Sequence, residues 1–159
     1  MVMRRIVFIL LVIIIALKSN GQEESKRNLN FIIMIDGNIP FQGDVNLQLS
    51  IKNKLIETIR VNYIPGDIIL DDSAFNKIIS MEEKSFRLEI YYSKLHKNKI
   101  KSYYYNIILE KSWLKNSFNI LRIYNLENKK NKKTFSDIED RDYTYEIDSP
   151  NGSILRVKR

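Results

Sequence analysis

Residues 86–110, FRLEIYYSKLHKNKIKSYYYNIILE, decide the fold class of this chain. Apolar and polar side chains alternate along residues 86–92 and again along residues 103–110. Successive side chains of a β-strand point to opposite faces of a sheet, so this alternation predicts two half-buried strands. The stretch between them, residues 93–99, is polar and basic, which is typical of a hairpin loop. We therefore expect an antiparallel hairpin here.

The same period of two recurs along most of the remaining chain. It is clear over residues 44–52 and 143–148. Shorter or more apolar runs lie at residues 29–36, 56–63, 68–70, 118–125 and 153–158. The dipeptides Asp36-Gly37, Pro65-Gly66 and Asn151-Gly152 follow three of these runs and are of the kind that tight turns require. The pattern therefore predicts about nine strands joined by short turns.

One stretch has the period of a helix instead. Phe75, Ile78 and Ile79 are spaced as on one helix face, and Asp72-Ser73 before them are good N-cap residues. A short helix is therefore expected near residues 73–80. Antiparallel strands with one polar face and short turns favour an all-β fold, an antiparallel β-sandwich of about 7–9 strands. A closed barrel is the alternative arrangement.

The N-terminus has the composition of an export signal. Arg4 and Arg5 precede residues 6–17, which carry no polar side chain, and small residues lead up to a cleavage site between Gly21 and Gln22. Twelve apolar residues are fewer than the roughly 20 that span a bilayer, which argues against an uncleaved anchor. We therefore expect cleavage, and no transmembrane anchor after it.

These patterns divide the chain into a signal peptide (1–21), a flexible N-terminus (22–28) and one β-sandwich domain (29–159). Loss of the signal peptide lowers the net charge from +7 to +4. The many Ile, Lys and Asn residues are typical of an AT-rich bacterial genome, and an exported bacterial protein needs no disulfide bonds. We expect the protein in the periplasm or at the cell exterior.

The composition excludes several chemistries. The chain has no Cys and a single His, His96, so thiolate catalysis, Cys-based metal sites and sites with several His ligands are excluded. His96 lies among lysines in the sequence, with no neighbouring carboxylate to orient its ring as in a general base. We expect no catalytic residue and no cofactor.

Two groups of acidic residues leave other possibilities open. Paired carboxylates can hydrolyse a glycosidic bond, and clustered oxygens can bind Ca²⁺. The groups are Asp67, Asp71 and Asp72, and Asp137, Glu139, Asp140 and Asp142. A small carboxylate-dependent hydrolase is therefore an alternative, and the sequence does not decide whether either group binds a cation.

A few residues are candidates for contact with a partner. Tyr91 and Tyr104 fall on the polar face of their strands, and with Trp113 they could present rings to a sugar or a protein. The segment 128–133, NKKNKK, is expected to be a solvated loop whose basic side chains could bind an anionic polymer. These side chains are Lys129, Lys130, Lys132 and Lys133. Ser73, in Asp-Ser-Ala, resembles an O-glycosylation acceptor of some bacterial periplasms.

The stretch from residue 30 to 92 resembles transthyretin-like and immunoglobulin-like sandwiches of exported bacterial proteins. An apolar strand ends in Asp36-Gly37, an amphipathic strand follows at residues 45–51, and Pro65-Gly66 leads into an apolar segment. The resemblance implies a non-catalytic module. We expect an exported binding or accessory protein that contacts an envelope protein or glycan and no nucleic acid. A structural or chaperone-like subunit that pairs through an edge strand at residues 153–158 is a further alternative.

Overall fold

The computed structural model describes residues 25–41, 45–52, 56–135 and 142–156. The predicted signal peptide, with its cleavage site between Gly21 and Gln22, lies outside these residues. So do Asp137, Glu139 and Asp140. Within the described ranges, no helix is both long enough and apolar enough to cross a membrane.

Strands make up most of the described chain. They are β1 (Lys26–Ile35), β2 (Val45–Lys52), β3 (Ile56–Ile64), β4 (Gly66–Asp71), β5 (Ser85–His96), β6 (Lys99–Glu110), β7 (Asn119–Asn125), β8 (Tyr143–Ser149) and β9 (Gly152–Arg156). Two short helices, α1 (Asp72–Ser80) and α2 (Lys129–Thr134), and a 3-10 helix at Lys111–Lys115 complete the described elements. The mostly-β class and the short helix near residues 73–80 are confirmed.

The nine strands form one mixed sheet in the order β6-β5-β2-β3-β4-β1-β7-β8-β9. The prediction of a purely antiparallel arrangement is wrong at one place, because β1 and β7 pair in parallel, from Phe31↔Asn119 to Ile35↔Ile123. Consecutive parallel strands need a long crossover, usually a helix. β1 and β7 are separated in the chain by five other strands, so no such helix is required between them.

The two ends of the sheet meet through tyrosine hydroxyl groups. The Tyr143 hydroxyl on β8 accepts a hydrogen bond from the Asn106 N–H of β6 at 2.8 Å and donates to the Asn106 carbonyl oxygen at 2.9 Å. The Tyr145 hydroxyl accepts from the Ile108 N–H at 3.3 Å. Because β6 and β8 lie near opposite ends of the strand order, the sheet curls to bring them together. The hydroxyls thus satisfy backbone groups that another strand would otherwise pair with.

The apolar side chains of the alternating strands fill the inside of this curl. Leu88, Ile90 and Ile107 on the β5–β6 hairpin are fully buried, as are Ile33 on β1 and Leu121 on β7. Full burial of a side chain of this size contributes about 1.5–3 kcal/mol. The predicted alternation of inward apolar and outward polar residues is confirmed on these strands.

Helix α1 packs Phe75 and Ile78 into the same core, as its periodicity predicts. Its N-cap differs from the prediction, because Asp71 holds the N-cap position and makes no side-chain capping hydrogen bond. Ser73, the predicted modification acceptor, is exposed in the first turn of the helix.

The β5–β6 turn is shorter than predicted. The strands stay paired to His96↔Lys99, so the turn is only Lys97-Asn98, and both residues have positive φ (47° and 62°). The backbone twist of a two-residue turn with positive φ matches the twist of the two strands that it joins. The strands can therefore stay paired up to the turn, although most residues of segment 93–99 are polar.

Two other segments are more regular than their polar composition suggested. The lysine-rich segment expected to be a loop forms α2, where the Asn128 side chain caps the helix by accepting from the Lys130 N–H at 3.1 Å. β1 begins at Lys26, within the segment 22–28 that was expected to be flexible. The reason is that β4 pairs with it from Lys26↔Asp71 onward.

Candidate binding surface

The β5–β6 hairpin extends past the strand beside it. β2 pairs with β5 no further than Val45↔Tyr92, whereas β5 and β6 stay paired to His96↔Lys99. Residues 93–102 therefore lack a third strand among the described residues, and we call this segment the hairpin tip. Its side chains are exposed on both faces.

The face of the hairpin tip that points toward the inside of the curl is basic. Lys94 lies opposite Lys101, and His96 lies opposite Lys99. Neighbouring cations repel, and their exposure to water limits that cost. Lys101 is also ion-paired with Glu127, which precedes α2, and this hydrogen bond raises the pKa of Lys101.

The opposite face carries a row of apolar and aromatic side chains. Leu95 and Ile100 lie across from each other and are 69% and 75% exposed. Further along the same face, Tyr91 and Tyr104 lie with their ring centroids 5.0 Å apart and are 42% and 48% exposed. The Tyr91 hydroxyl donates to a Glu89 carboxylate oxygen at 3.2 Å. Partial desolvation raises the pKa of Tyr91, and the hydrogen bond to Glu89 raises it further. Both rings are exposed, as their position on the polar face of the two strands allows.

Trp113 is not part of this surface. It lies in the 3-10 helix, is 6% exposed and belongs to the core. Its carbonyl oxygen accepts from the Asn116 N–H at 3.2 Å and from Asn119 Nδ2 at 3.0 Å. Burial removes Trp113 from the exposed aromatic contacts, which corrects its inclusion among the candidate residues.

Helix α2 follows Glu127, which is ion-paired with Lys101 of the hairpin tip, and it displays a second basic surface. Its exposed cations are Lys129, Lys130, Lys132 and Lys133. Asn131, between them in sequence, is buried, and its Nδ2 donates to Asp36 Oδ1 at 2.7 Å and to the Asn125 carbonyl oxygen at 3.0 Å. The buried amide therefore fixes the side of α2 that faces the protein and leaves the lysines outside.

A polar cluster around Asp36 connects these elements. Asp36 has a φ of 51°, and its carboxylate also accepts from the Asn125 N–H at 2.9 Å and from Asn125 Nδ2 at 3.0 Å. The Tyr105 hydroxyl donates to Asn125 Oδ1 at 2.8 Å, and burial raises the pKa of Tyr105. The sequence indicates only a turn at Asp36. No local pattern indicates its partners, which lie 89 and 95 residues away.

A small cavity of about 80 Å³ lies between this cluster and the basic face of the hairpin tip. Its walls include Asp36, Tyr92, Lys94, His96 and Lys101. The fold thus brings the only imidazole and a carboxylate to one cavity, although they are far apart in sequence. The Asp36 carboxylate accepts hydrogen bonds from backbone and side-chain amides, which fix its position in the cavity wall.

A larger cavity of about 530 Å³ lies at the other end of the hairpin. Its charged lining residues are Glu82, Glu83, Lys84, Glu110 and Lys111. One carboxylate oxygen, Oε2 of Glu83, is shielded from solvent and has no hydrogen-bond partner. Within the described parts of the chain, no three His, Cys, Asp or Glu side chains are grouped so as to hold a metal ion.

The acidic residues considered for hydrolysis are spread along β4 and into α1. Asp67 and Asp71 are four residues apart on one strand, which separates their Cα atoms by roughly 13 Å. Paired glycosidase carboxylates lie about 5–9.5 Å apart. Asp72 forms an ion pair with Arg27 at 2.8 Å, and hydrogen bonds from Ser25 and then Arg27 lower the pKa of Asp72.

Comparisons of this chain with protein-family models, with curated proteins and with solved structures found no match. The candidate surface is therefore defined by the geometry of the hairpin and α2 alone. This geometry can bind a partner through exposed rings, aliphatic side chains and lysines.

Proposed function

We propose that this chain is an exported, non-catalytic binding or accessory protein of the bacterial cell envelope that contacts an envelope protein or glycan. The observation that carries the proposal is the exposed Tyr91–Tyr104 pair on the outer face of the β5–β6 hairpin. Tyrosine combines a flat apolar face with a polar hydroxyl, and such rings often dominate the energy of an interface.

The non-catalytic part of the proposal is supported by how the charged groups near the surface are used. Asp36 accepts hydrogen bonds from amide groups, and Lys101 is ion-paired with Glu127. Each of these groups stabilises an element next to the hairpin. A sandwich of the transthyretin-like or immunoglobulin-like kind is part of the proposal, because a sheet whose ends approach each other can enclose one core between two layers. Export rests on the predicted signal peptide.

The test uses the full chain, expressed with its own leader and purified from the periplasm as bait. Detergent-solubilised envelope extract is passed over it, and the captured proteins and glycans are identified and quantified. Tyr91→Ala combined with Tyr104→Ala should lower capture of the main partner roughly tenfold or more. Phe118→Ala is the matched control, because Phe118 is 41% exposed and lies outside the hairpin. Equal capture by the double variant and the native chain would refute the tyrosine contact.

The lysines of α2 are tested in the same extract. Replacing Lys129, Lys130, Lys132 and Lys133 by Gln removes four charges and leaves the buried Asn131 unchanged. At low salt, an anionic partner should bind this variant more weakly than the native chain, and at high salt it should bind both equally. The reason is that exposed charges act within a screening length of about 10 Å at 0.1 M salt and less at higher salt. Unchanged capture at low salt would remove these lysines from the proposed surface.

The position of β9 favours a second function. β9 ends the sheet order, so it pairs with β8 alone among the described strands. An edge strand can accept a strand of another chain, as a structural or chaperone-like subunit does. Sedimentation of the native chain and of a variant ending at Gly152 tests this function. A native oligomer that dissociates on truncation supports it, and a native monomer contradicts it.

A further inference from the structure

We propose that the hairpin tip docks on the surface of a bilayer that contains anionic phospholipids. Leu95 and Ile100 enter the boundary between headgroups and acyl chains, and the lysines of the tip contact the headgroups. This inference goes beyond the proposed function, because it adds a lipid partner and requires neither the protein nor the glycan partner.

The apolar part of the proposal rests on Leu95 and Ile100. They are opposite each other, so they form one patch, and both are about 70% or more exposed. They lie in a part of the hairpin that has no third strand among the described residues. Exposed apolar side chains gain no free energy from the protein core, and their transfer from water into an apolar phase is favourable.

The electrostatic part rests on the charge of the hairpin. The sequence from residue 90 to 109 contains no acidic residue, and its four lysines all lie at the tip. These are Lys94, Lys97, Lys99 and Lys101. Each lysine near an anionic lipid surface strengthens binding by roughly fivefold. Lysine stems are long and flexible, so their ammonium groups can reach headgroups while the aliphatic pair lies deeper.

The tyrosines fit the same orientation. Tyr91 and Tyr104 lie on the face of Leu95 and Ile100, four residues further from the turn, or roughly 13 Å along the strand. Tyrosine is enriched at the membrane–water interface because its ring is apolar and its hydroxyl polar. A hairpin that lies with this face against the membrane and its turn tilted toward it therefore places Leu95 and Ile100 deeper than the phenols, which lie at headgroup level.

The exposed aliphatic pair is what favours a lipid surface over an anionic polysaccharide. A polysaccharide would bind the lysines through its charges and would gain little from Leu95 or Ile100. A lipid surface uses both features, in the way that amphipathic interfacial segments do. The two partners therefore differ in their dependence on the aliphatic side chains.

The first experiment measures flotation of the processed full chain with vesicles. Vesicles of equal parts phosphatidylglycerol and phosphatidylcholine should carry the protein upward at about 0.1 M salt. Vesicles of phosphatidylcholine alone should bind it at least tenfold more weakly. At about 1 M salt, where the screening length falls to about 3 Å, binding to the anionic vesicles should also weaken at least tenfold.

The second experiment compares variants that are matched in chemistry. Leu95→Ser with Ile100→Ser should weaken vesicle binding roughly tenfold or more. The control Ile64→Ser with Phe118→Ser removes two apolar side chains that are 45% and 41% exposed outside the hairpin, and it should bind within about twofold of the native chain. Circular dichroism should show the native β spectrum for both.

The four tip lysines are replaced together by Gln. This change should weaken binding by about a hundredfold, somewhat less than four independent lysines would give, because Lys101 is shared with Glu127. The control replaces the four exposed lysines of α2 by Gln and removes the same charge. The factor by which this control weakens vesicle binding should be at least ten times smaller than the factor for the tip variant.

Several results would overturn the proposal. The first is no binding to anionic vesicles, and the second is an equal loss of vesicle binding in both lysine variants. The third is vesicle binding that does not depend on Leu95 and Ile100, because a purely electrostatic contact of the kind expected for a polysaccharide needs only the lysines. Self-association that disappears in Leu95→Ser with Ile100→Ser, without vesicle binding, would assign the patch to a second copy of the chain. The pull-down of the proposed function uses detergent and no bilayer, so the two proposals fail independently.

Discussion

Replacing Tyr143 and Tyr145 by Phe removes the two hydroxyl groups that join β8 to β6 and leaves both rings in place. The change deletes three hydrogen bonds, at 2.8, 2.9 and 3.3 Å, to the backbone of Asn106 and Ile108. A hydrogen bond contributes about 0.5–1.5 kcal/mol, and a buried backbone group left without a partner costs about 1–3 kcal/mol. Because Asn106 and Ile108 are half-buried, water replaces part of the loss. We expect the free energy of unfolding to fall by about 2–4 kcal/mol.

Urea unfolding followed by fluorescence measures this change. Trp113 is the only tryptophan and is buried, so its emission reports on the loss of the core. With a denaturant slope of about 2 kcal/mol per molar urea, the midpoint should fall by roughly 1–2 M. Tyr124→Phe is the control: the Tyr124 hydroxyl donates to Glu146 at 2.9 Å on the half-exposed side of the sheet, and its loss should cost less than about 1 kcal/mol.

The result that would refute this reasoning is a double variant within about 0.5 kcal/mol of the native chain. The hydroxyl groups would then not hold the edge of β6, and the curl of the sheet would need another cause. Hydrogen exchange at the Asn106 and Ile108 amides gives an independent check, because both should exchange faster in the double variant than in the native chain.

Three further predictions concern pH, the polar cluster and processing. Burial raises the pKa of Tyr105 and of Tyr143 above 10.0 in the folded chain. Their stabilising contribution is therefore complete below pH 10 and is lost above pH 10, where the tyrosines of the unfolded chain ionise. The melting temperature should fall between pH 9 and 11, and it should fall less steeply in Tyr105→Phe. Asp36→Ala removes the carboxylate that accepts hydrogen bonds from Asn131 and Asn125, so the free energy of unfolding should fall by about 2–4 kcal/mol. The amides of α2 should also exchange faster, and unchanged exchange would contradict the role of Asp36 in holding α2. N-terminal sequencing of the exported protein should begin at Gln22, and an uncleaved product would refute the predicted signal peptide.

The local features of the fold follow from the sequence because they depend on near neighbours. Strand alternation places the rings of Tyr91 and Tyr104 opposite to the buried Leu88 and Ile90, and the structure exposes both rings. The tight turn at Pro65-Gly66 needs a residue with positive φ, and Gly66 has a φ of 109°. Period and turn chemistry are short-range properties, so one sequence is enough to indicate them.

The features that depend on distant partners could not be predicted. The parallel pairing of β1 with β7 is set by which strands share the core, and no local pattern encodes it. The lysine-rich segment becomes α2 because Asn128 caps it and Asn131 binds Asp36, 95 residues away. Composition alone favoured a solvated loop there. The burial of Trp113 is not predictable for the same reason, since it depends on packing after the end of β6.

The most direct test of the central claim, that the β5–β6 hairpin is the contact surface, is hydrogen exchange of the exported chain with and without native envelope membranes. These membranes present proteins, glycans and lipids together. We expect slower exchange confined mainly to residues 91–104, with the core of β1 and β7 unchanged. Slower exchange at β9 or around the 530 Å³ cavity, with residues 91–104 unaffected, would contradict it.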